Sequence, residues 1–184
     1  MSTTARLSVD DYLAHDFPPR TQLVAGEVVI VNEPSFRHIR IADYLYGSLA
    51  GWAQATTGRG EAGQRAEWVL GGPNVYVPDV WWLREERRPG RDALRVEGPA
   101  DLVVEVLSPS TRRYDLGPKR AVYERDGALE LWLVDTDPDG VVVERRSHPD
   151  AAGFDVRLEL QPGDALTSPL LPGLEVLLSE LFDR

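Results

Sequence analysis

Six consecutive residues, Leu102-Val103-Val104-Glu105-Val106-Leu107, constrain this chain more than any other stretch. All but Glu105 are apolar and half are valine, so the segment reads as a strand. In a strand, alternate side chains share a face. Glu105 shares its face with Val103 and Leu107, while Leu102, Val104 and Val106 occupy the other. With both faces apolar, the strand must be covered on both sides, which places it at the centre of a sheet. The same run sets a carboxylate inside that core. An unpaired buried carboxylate costs on the order of several kcal/mol or takes up a proton. Glu105 therefore calls for a partner. A structural ion pair or a strand end near solvent is one reading, and a functional site is the other.

Around this strand the pattern predicts short elements of both kinds. Ser8-Val9-Asp10-Asp11 has the form of a capping box and starts a short helix. Residues 22–31 read as one strand, or as a hairpin turning at Ala25-Gly26. Pro34-Ser35 opens a helix on which His38, Ile41, Ala42, Leu45, Leu49 and Trp52 form one buried stripe. Residues 58–63 end it. Residues 65–70 and 74–83 read as strands joined by Gly71-Gly72-Pro73, and residues 85–98 as a polar, arginine-rich connection. Residues 118–125 are helical and stop at Gly127, and residues 131–134 form another buried strand. Residues 141–146 and 156–160 suggest a closing hairpin, and residues 174–182 a last short helix. No repeat or linker divides the 184 residues, a length that suits one core. The expectation is a single domain over 1–184, α/β or α+β in class, with a mixed β-sheet flanked by helices. A doubly wound fold would alternate more regularly.

Two further residues break local rules. Asp79 has Val77 and Trp81 on its face and follows Pro78, which lacks a backbone donor and suggests a strand edge or bulge. Asp79 either caps that bulge or is re-aimed by it toward a site. Lys119 is the only lysine, the other 19 bases being arginine. It stands in the first turn of its helix, where the macrodipole disfavours cations. It shares the inward face with Val122 and Tyr123, while Arg120 and Glu124 form an exposed i,i+4 pair. Such a lysine either snorkels over the apolar face or serves a site that needs a compact point charge. On the second reading, Lys119→Arg is expected to lose activity while leaving folding nearly intact.

Together the three suit one chemistry. Asp79 and Glu105 as metal ligands can hold Mg²⁺ or Mn²⁺ and leave the remaining positions to water and phosphate oxygens. The cation acidifies water and neutralises charge at a phosphate. A lysine alongside orients the water or adds positive charge. The three histidines, His15, His38 and His148, offer too little for an unrelated metal hydrolase of the zinc type. The expected function is metal-dependent hydrolysis of phosphodiesters, with Asp79, Glu105 and Lys119 catalytic. The alternative is a catalytically silent scaffold that binds nucleic acid or protein.

A net charge of −10 looks unsuited to a nucleic-acid partner, but it is unevenly spread. Residues 1–125 carry 17 acids and 16 bases, and residues 126–184 carry 13 acids and 4 bases. Ten of the 20 bases lie between Arg84 and Arg125, so a local basic surface is compatible with the acidic whole. Ordinary solvated charge is the plainer reading. The absence of cysteine excludes disulfides, thiolate metal sites and cysteine nucleophiles. No apolar run approaches the roughly 18 residues of a membrane span, and residues 1–11 lack a leader pattern. The expectation is a cytoplasmic protein.

Four stretches carry a resemblance: Val77-Pro78-Asp79, Asp101 through Ser110, Asp115 with Lys119 and Tyr123, and Glu130-Leu131-Trp132-Leu133-Val134-Asp135. Together they resemble the Uma-two family of bacterial restriction-endonuclease-like proteins, within the PD-(D/E)XK nuclease superfamily. The likeness runs over nearly the whole chain, from Gly26-Glu27 and His38 to Leu171-Pro172-Gly173-Leu174. It implies a restriction-endonuclease-like fold with a four-stranded mixed core, Asp79 and Glu105 as the acids of the motif, and DNA as substrate. Oligomeric state stays open, although cutting both strands usually takes two sites, a hint of a homodimer. The superfamily motif expects lysine two residues after Glu105, where Leu107 stands, and the resemblance implies that Lys119 supplies it from the next helix. His38 either positions the metal or phosphate, as the first core helix does in that superfamily, or is a buried structural histidine. Asp115 is expected to cap the helix.

Overall fold

The computed structural model describes residues 6–183, so part of the 1–11 stretch read above for a leader lies outside them. In chain order the elements are α1 (Val9–Ala14), β1 (Thr21–Val24), β2 (Glu27–Ile30), α2 (Phe36–Gln54), β3 (Glu61–Gly63), β4 (Glu67–Leu70), β5 (Asn74–Tyr76), β6 (Val80–Leu83), β7 (Arg95–Glu97), β8 (Leu102–Val106), α3 (Arg112–Tyr114), α4 (Arg120–Asp126), β9 (Glu130–Thr136), β10 (Asp139–Arg145), β11 (Val156–Leu160), β12 (Ala165–Thr167), β13 (Glu175–Leu177) and α5 (Leu178–Phe182). A six-stranded sheet runs β11-β10-β9-β8-β6-β3, and a five-stranded sheet runs β2-β1-β5-β4-β7. The first is mixed: β8 is parallel to β9 and antiparallel to β6. The core sheet is thus wider than the four strands implied by the resemblance. No helix among the described residues is long and apolar enough to cross a membrane.

The apolar run at β8 dictates this arrangement. Leu102, Val104 and Val106 pack with Trp132, Val134, Val141 and Val143 against Ile41, Ala42, Leu45 and Leu49 of α2 and Leu178 and Leu181 of α5. On the opposite face, Val103 and Leu107 join Leu131 and Leu133 under Val122 and Tyr123 of α4 and Trp68 and Tyr76 of the second sheet. Glu105 opens onto this second face.

Several elements differ from the sequence pattern, each for a local reason. Residues 74–83 form two strands in two sheets, not one: β5 pairs with β4 and β1, and β6 with β8 and β3. Val77-Pro78-Asp79 carries the chain across, because Pro78 cannot donate to a ladder. Asp79 therefore stands in a gap between strands and not on the strand face shared with Val77 and Trp81. Residues 61–63 form an edge strand with Gly63 opposite Trp81, where a Cβ would lie 2.2 Å from the indole. The arginine-rich connection holds a 3-10 turn (Glu85–Arg87) and β7. The last expected helix is half strand, β13, and half helix, α5. At Ala25-Gly26 the hairpin reading holds: both residues have positive φ, 51° and 81°, as a tight type I′ turn requires.

Candidate active site

Glu105 projects from the middle of β8 and is buried, with 3% of its surface exposed. Its Oε1 lies 2.6 Å from Lys119 Nζ and accepts a 2.7 Å hydrogen bond from the Tyr123 hydroxyl. Lys119 Nζ also donates to Asp115 Oδ1 at 2.9 Å and sits 5.7 Å from the centre of the Tyr76 ring. Lys119 and Asp115 are as buried as Glu105. Asp115 is therefore not the helix cap expected from the sequence; no side-chain cap bond is made at this junction. A buried cation between two buried carboxylates is a stronger demand on an aspartate than an exposed helix end.

Chain geometry explains how Lys119 reaches β8. The segment Asp115–Lys119 is a wide π-type turn, broken by non-helical dihedrals at Gly117 and by Pro118. The α-helix proper starts at Arg120, so Lys119 stands at its N-cap and not inside its first turn. Asp115, Lys119 and Tyr123 follow one another at four-residue spacing, and all three turn inward. Arg120 and Glu124 pair outward at 3.0 Å as the pattern predicts. Leu107, two residues after Glu105, is packed in the apolar cluster beneath α4.

Asp79 approaches from the gap before β6. Its Oδ2 accepts the Val106 amide at 2.8 Å, so the side chain takes a β8 donor at the point where the β6 ladder ends. Its Oδ1 lies 3.0 Å from His38 Nε2. His38 stands near the start of α2, whose N-cap Ser35 accepts the His38 amide at 3.1 Å. The other ring nitrogen, Nδ1, is buried without a hydrogen-bond partner among the described residues. Continuing the β6–β8 register by one residue sets Asp79 across from Glu105. The structure thus brings Asp79, Glu105 and Lys119 to one cavity of about 620 Å³, together with His38 and Asp115.

The electrostatics of this cavity are unbalanced. Around Glu105, the carboxylates of Asp115 and Asp79 oppose the single ammonium of Lys119. Burial pushes the Glu105 carboxyl above its ordinary range; Lys119 pulls it back, and Asp115 and Asp79 push it up again. Burial alone would depress Lys119, but Glu105 and Asp115 outweigh it and hold the ammonium protonated. Burial and the neighbouring Glu105 raise the Tyr123 hydroxyl well above its usual value, so it remains a donor. Among the described residues no cluster of three or more His, Asp or Glu side chains is arranged to hold an ion. Asp79 and Glu105 are the carboxylates that could share one, with water and substrate oxygens completing the shell. That sparse, all-oxygen set fits Mg²⁺ or Mn²⁺ and not a structural zinc site.

The basic stretch plays a different part from the one its composition suggests. Eight of the ten bases from Arg84 to Arg125 have an acidic partner: Arg84 and Arg87 grip buried Asp101, Arg88 meets Glu61 and Glu85, and Arg95, Arg112, Lys119, Arg120 and Arg125 are also paired. The cavity itself is lined by Arg20, which pairs with Glu33, and by Arg65, which has no acidic partner among the described residues. Both hold a positive φ, 65° and 55°, unusual for a side chain with a Cβ.

Sequence reasoning missed Asp115 and the Tyr123 hydroxyl as parts of this constellation. The four-residue spacing from Asp115 through Lys119 to Tyr123 was the available signal.

A family model, "Uma2: Putative restriction endonuclease", matches residues 9–179. Among solved structures, the chain resembles a "putative nuclease belonging to DUF820" from Anabaena variabilis ATCC 29413, with a TM-score of 0.82 and 17% identity over 96% of this chain and 98% of that one. No curated protein matches.

Proposed function

This chain belongs to the Uma2 family, and from that membership and the cavity geometry we propose that it is a divalent-metal-dependent endonuclease acting on DNA phosphodiesters. The observation that carries this reading is convergence: Asp79 from a strand gap, Glu105 from β8 and Lys119 from the α4 junction line one cavity. Asp79 and Glu105 would hold Mg²⁺ or Mn²⁺, each carboxylate already fixed by donors from the protein. A cation bound there supplies acidification of water and charge neutralisation at the phosphate. Lys119 contributes a fixed positive charge within reach of the same carboxylate, preorganised and shielded from water. His38 holds Asp79 in place from α2. Arg65, at the cavity wall and without an acidic partner among the described residues, is a cation suited to meet a neighbouring phosphate. A cytoplasmic setting and pairing into a homodimer, so that two sites meet two strands, belong to this reading.

A second reading has its own support. Lys119 is shared with Asp115, and among the described residues no group of three or more acidic or histidine side chains is arranged to hold an ion, which suits a silent scaffold that binds nucleic acid without cutting it. Incubation with supercoiled plasmid in Mg²⁺ or Mn²⁺ separates the two. The nuclease reading expects nicked and linear products from the wild type and none from Asp79→Ala. Retention of plasmid without any cleavage would transfer the weight to the binding scaffold.

A further inference from the structure

We propose that Tyr123 is a positioning residue: together with Lys119 it pins one oxygen of Glu105 and so presents the other to the cavity, where a divalent cation would bind. This rests on the metal-site reading above and adds a residue to it.

The geometry is specific. The Tyr123 hydroxyl donates to Glu105 Oε1 at 2.7 Å, and Lys119 Nζ lies 2.6 Å from that same atom. Two donors one helical turn apart reach a single oxygen, while Oε2 has no donor among the described residues. A carboxylate held at one oxygen by a lone lysine can still rotate about its last bonds. A second donor from a different direction removes that freedom. The tyrosine is in turn immobile. It is 1% exposed, and its ring meets the Tyr76 ring edge-on at 5.5 Å and 79°. The Tyr76 hydroxyl is committed to Asn74 at 2.8 Å, so it does not compete for Glu105.

A core-filling role does not account for the hydroxyl. Phenylalanine would fill the same space without a buried polar atom to satisfy. The hydroxyl also adds nothing to the charge balance, which Lys119 and Asp115 already set. Its contribution is direction, and groups that orient a metal ligand in this way typically alter metal affinity by about 10–100-fold when removed.

The test is a Mn²⁺ binding isotherm on the full chain without nucleic acid, read from the spin resonance of free Mn²⁺. Wild type, Tyr123→Phe and Glu105→Gln are compared, with metal-free melting curves alongside. The expected result is binding by the wild type, loss of binding in Glu105→Gln, and about tenfold weaker binding in Tyr123→Phe. Wild-type affinity in Tyr123→Phe overturns the positioning role while leaving the metal site standing, whatever happens to its melting temperature. Absence of Mn²⁺ binding in the wild type overturns the metal site and this role with it. Should Tyr123→Phe fail to fold, 3-fluorotyrosine at position 123 keeps the hydroxyl and gives a fluorine resonance. That resonance is expected to move as Mg²⁺ is added, and an unmoved signal at saturation overturns the proposal.

Discussion

Lys119 is buried, with 3% of its surface exposed, at the wall of the cavity. Its ammonium bridges Glu105 and Asp115, with the Tyr76 ring centre 5.7 Å away. The sequence alone leads one to expect that Lys119→Arg spares the fold, but the burial changes that expectation. A guanidinium is wider than an ammonium, and enlarging a packed interior costs about 1–3 kcal/mol. Lys119→Arg is therefore expected to melt earlier and, in its folded fraction, to cleave about 10²–10³-fold more slowly. Lys119→Met removes the charge altogether and leaves two buried carboxylates without a counter-ion, a loss of about 3–5 kcal/mol. Denaturant melts and plasmid cleavage on the two variants check both statements. Full activity in Lys119→Arg would mean that position 119 needs only a positive charge. Glu105 was legible in the sequence because an acid in an unbroken apolar strand has no solvent face. Asp115 was not, because an aspartate that caps a helix and one that pairs with an inward lysine four residues later read alike.

The elements set where these side chains arrive. The wide turn at Asp115–Lys119 and the start of α4 aim three consecutive inward positions at β8, and Gly127 ends α4 with φ at 102°, the left-handed cap conformation. Gly127→Ala has open space for its methyl group but the wrong backbone for it, so a loss of about 1–2 kcal/mol is expected. Plasmid cleavage below the melting transition should be unaltered, since residue 127 lies at the far end of α4 from Lys119. A variant that cleaves poorly while folded would show that the end of α4 tunes the site. Helix α2, the hairpin of β1 and β2, and strands β8 to β11 were all readable from periodicity and turn residues. The division between β5 and β6 was not, because alternation continues through Val77-Pro78-Asp79 and cannot show that the chain changes sheets there. That gap is also what lets Asp79 take the Val106 amide.

For the molecule as a whole, stability, pH and metal are expected to be linked through Glu105. Burial, with Asp115 and Asp79 adding to it, pushes its carboxyl up to about 8 against the opposing pull of Lys119. A carboxyl raised in the fold contributes stability that is complete below its ordinary range and is lost as pH rises through the raised value. Lys119 is raised as well, but its contribution is constant below its own ordinary range and does not alter the sign in this window. Metal-free melting temperature is therefore expected to fall between about pH 5 and 8, and the rise produced by Mn²⁺ to grow over the same interval, because the cation takes the deprotonated carboxylate. Glu105→Gln should flatten both trends, and a variant that keeps them would assign the linkage to other groups. Net charge, by contrast, told little about the site. Most of the arginine-rich stretch is spent on acids of the same chain, a pairing that composition cannot reveal.

The most direct test joins metal to bond cleavage at the named residues. It is the rate of plasmid cleavage across a Mn²⁺ titration, for wild type and Glu105→Gln purified in parallel. The expected result is a rate that rises and saturates with Mn²⁺ in the wild type, falls to background in chelator, and is absent from Glu105→Gln. Cleavage by the wild type that persists in chelator, or survives the glutamine substitution unchanged, would contradict the assignment of Asp79, Glu105 and Lys119 as a metal-dependent nuclease site.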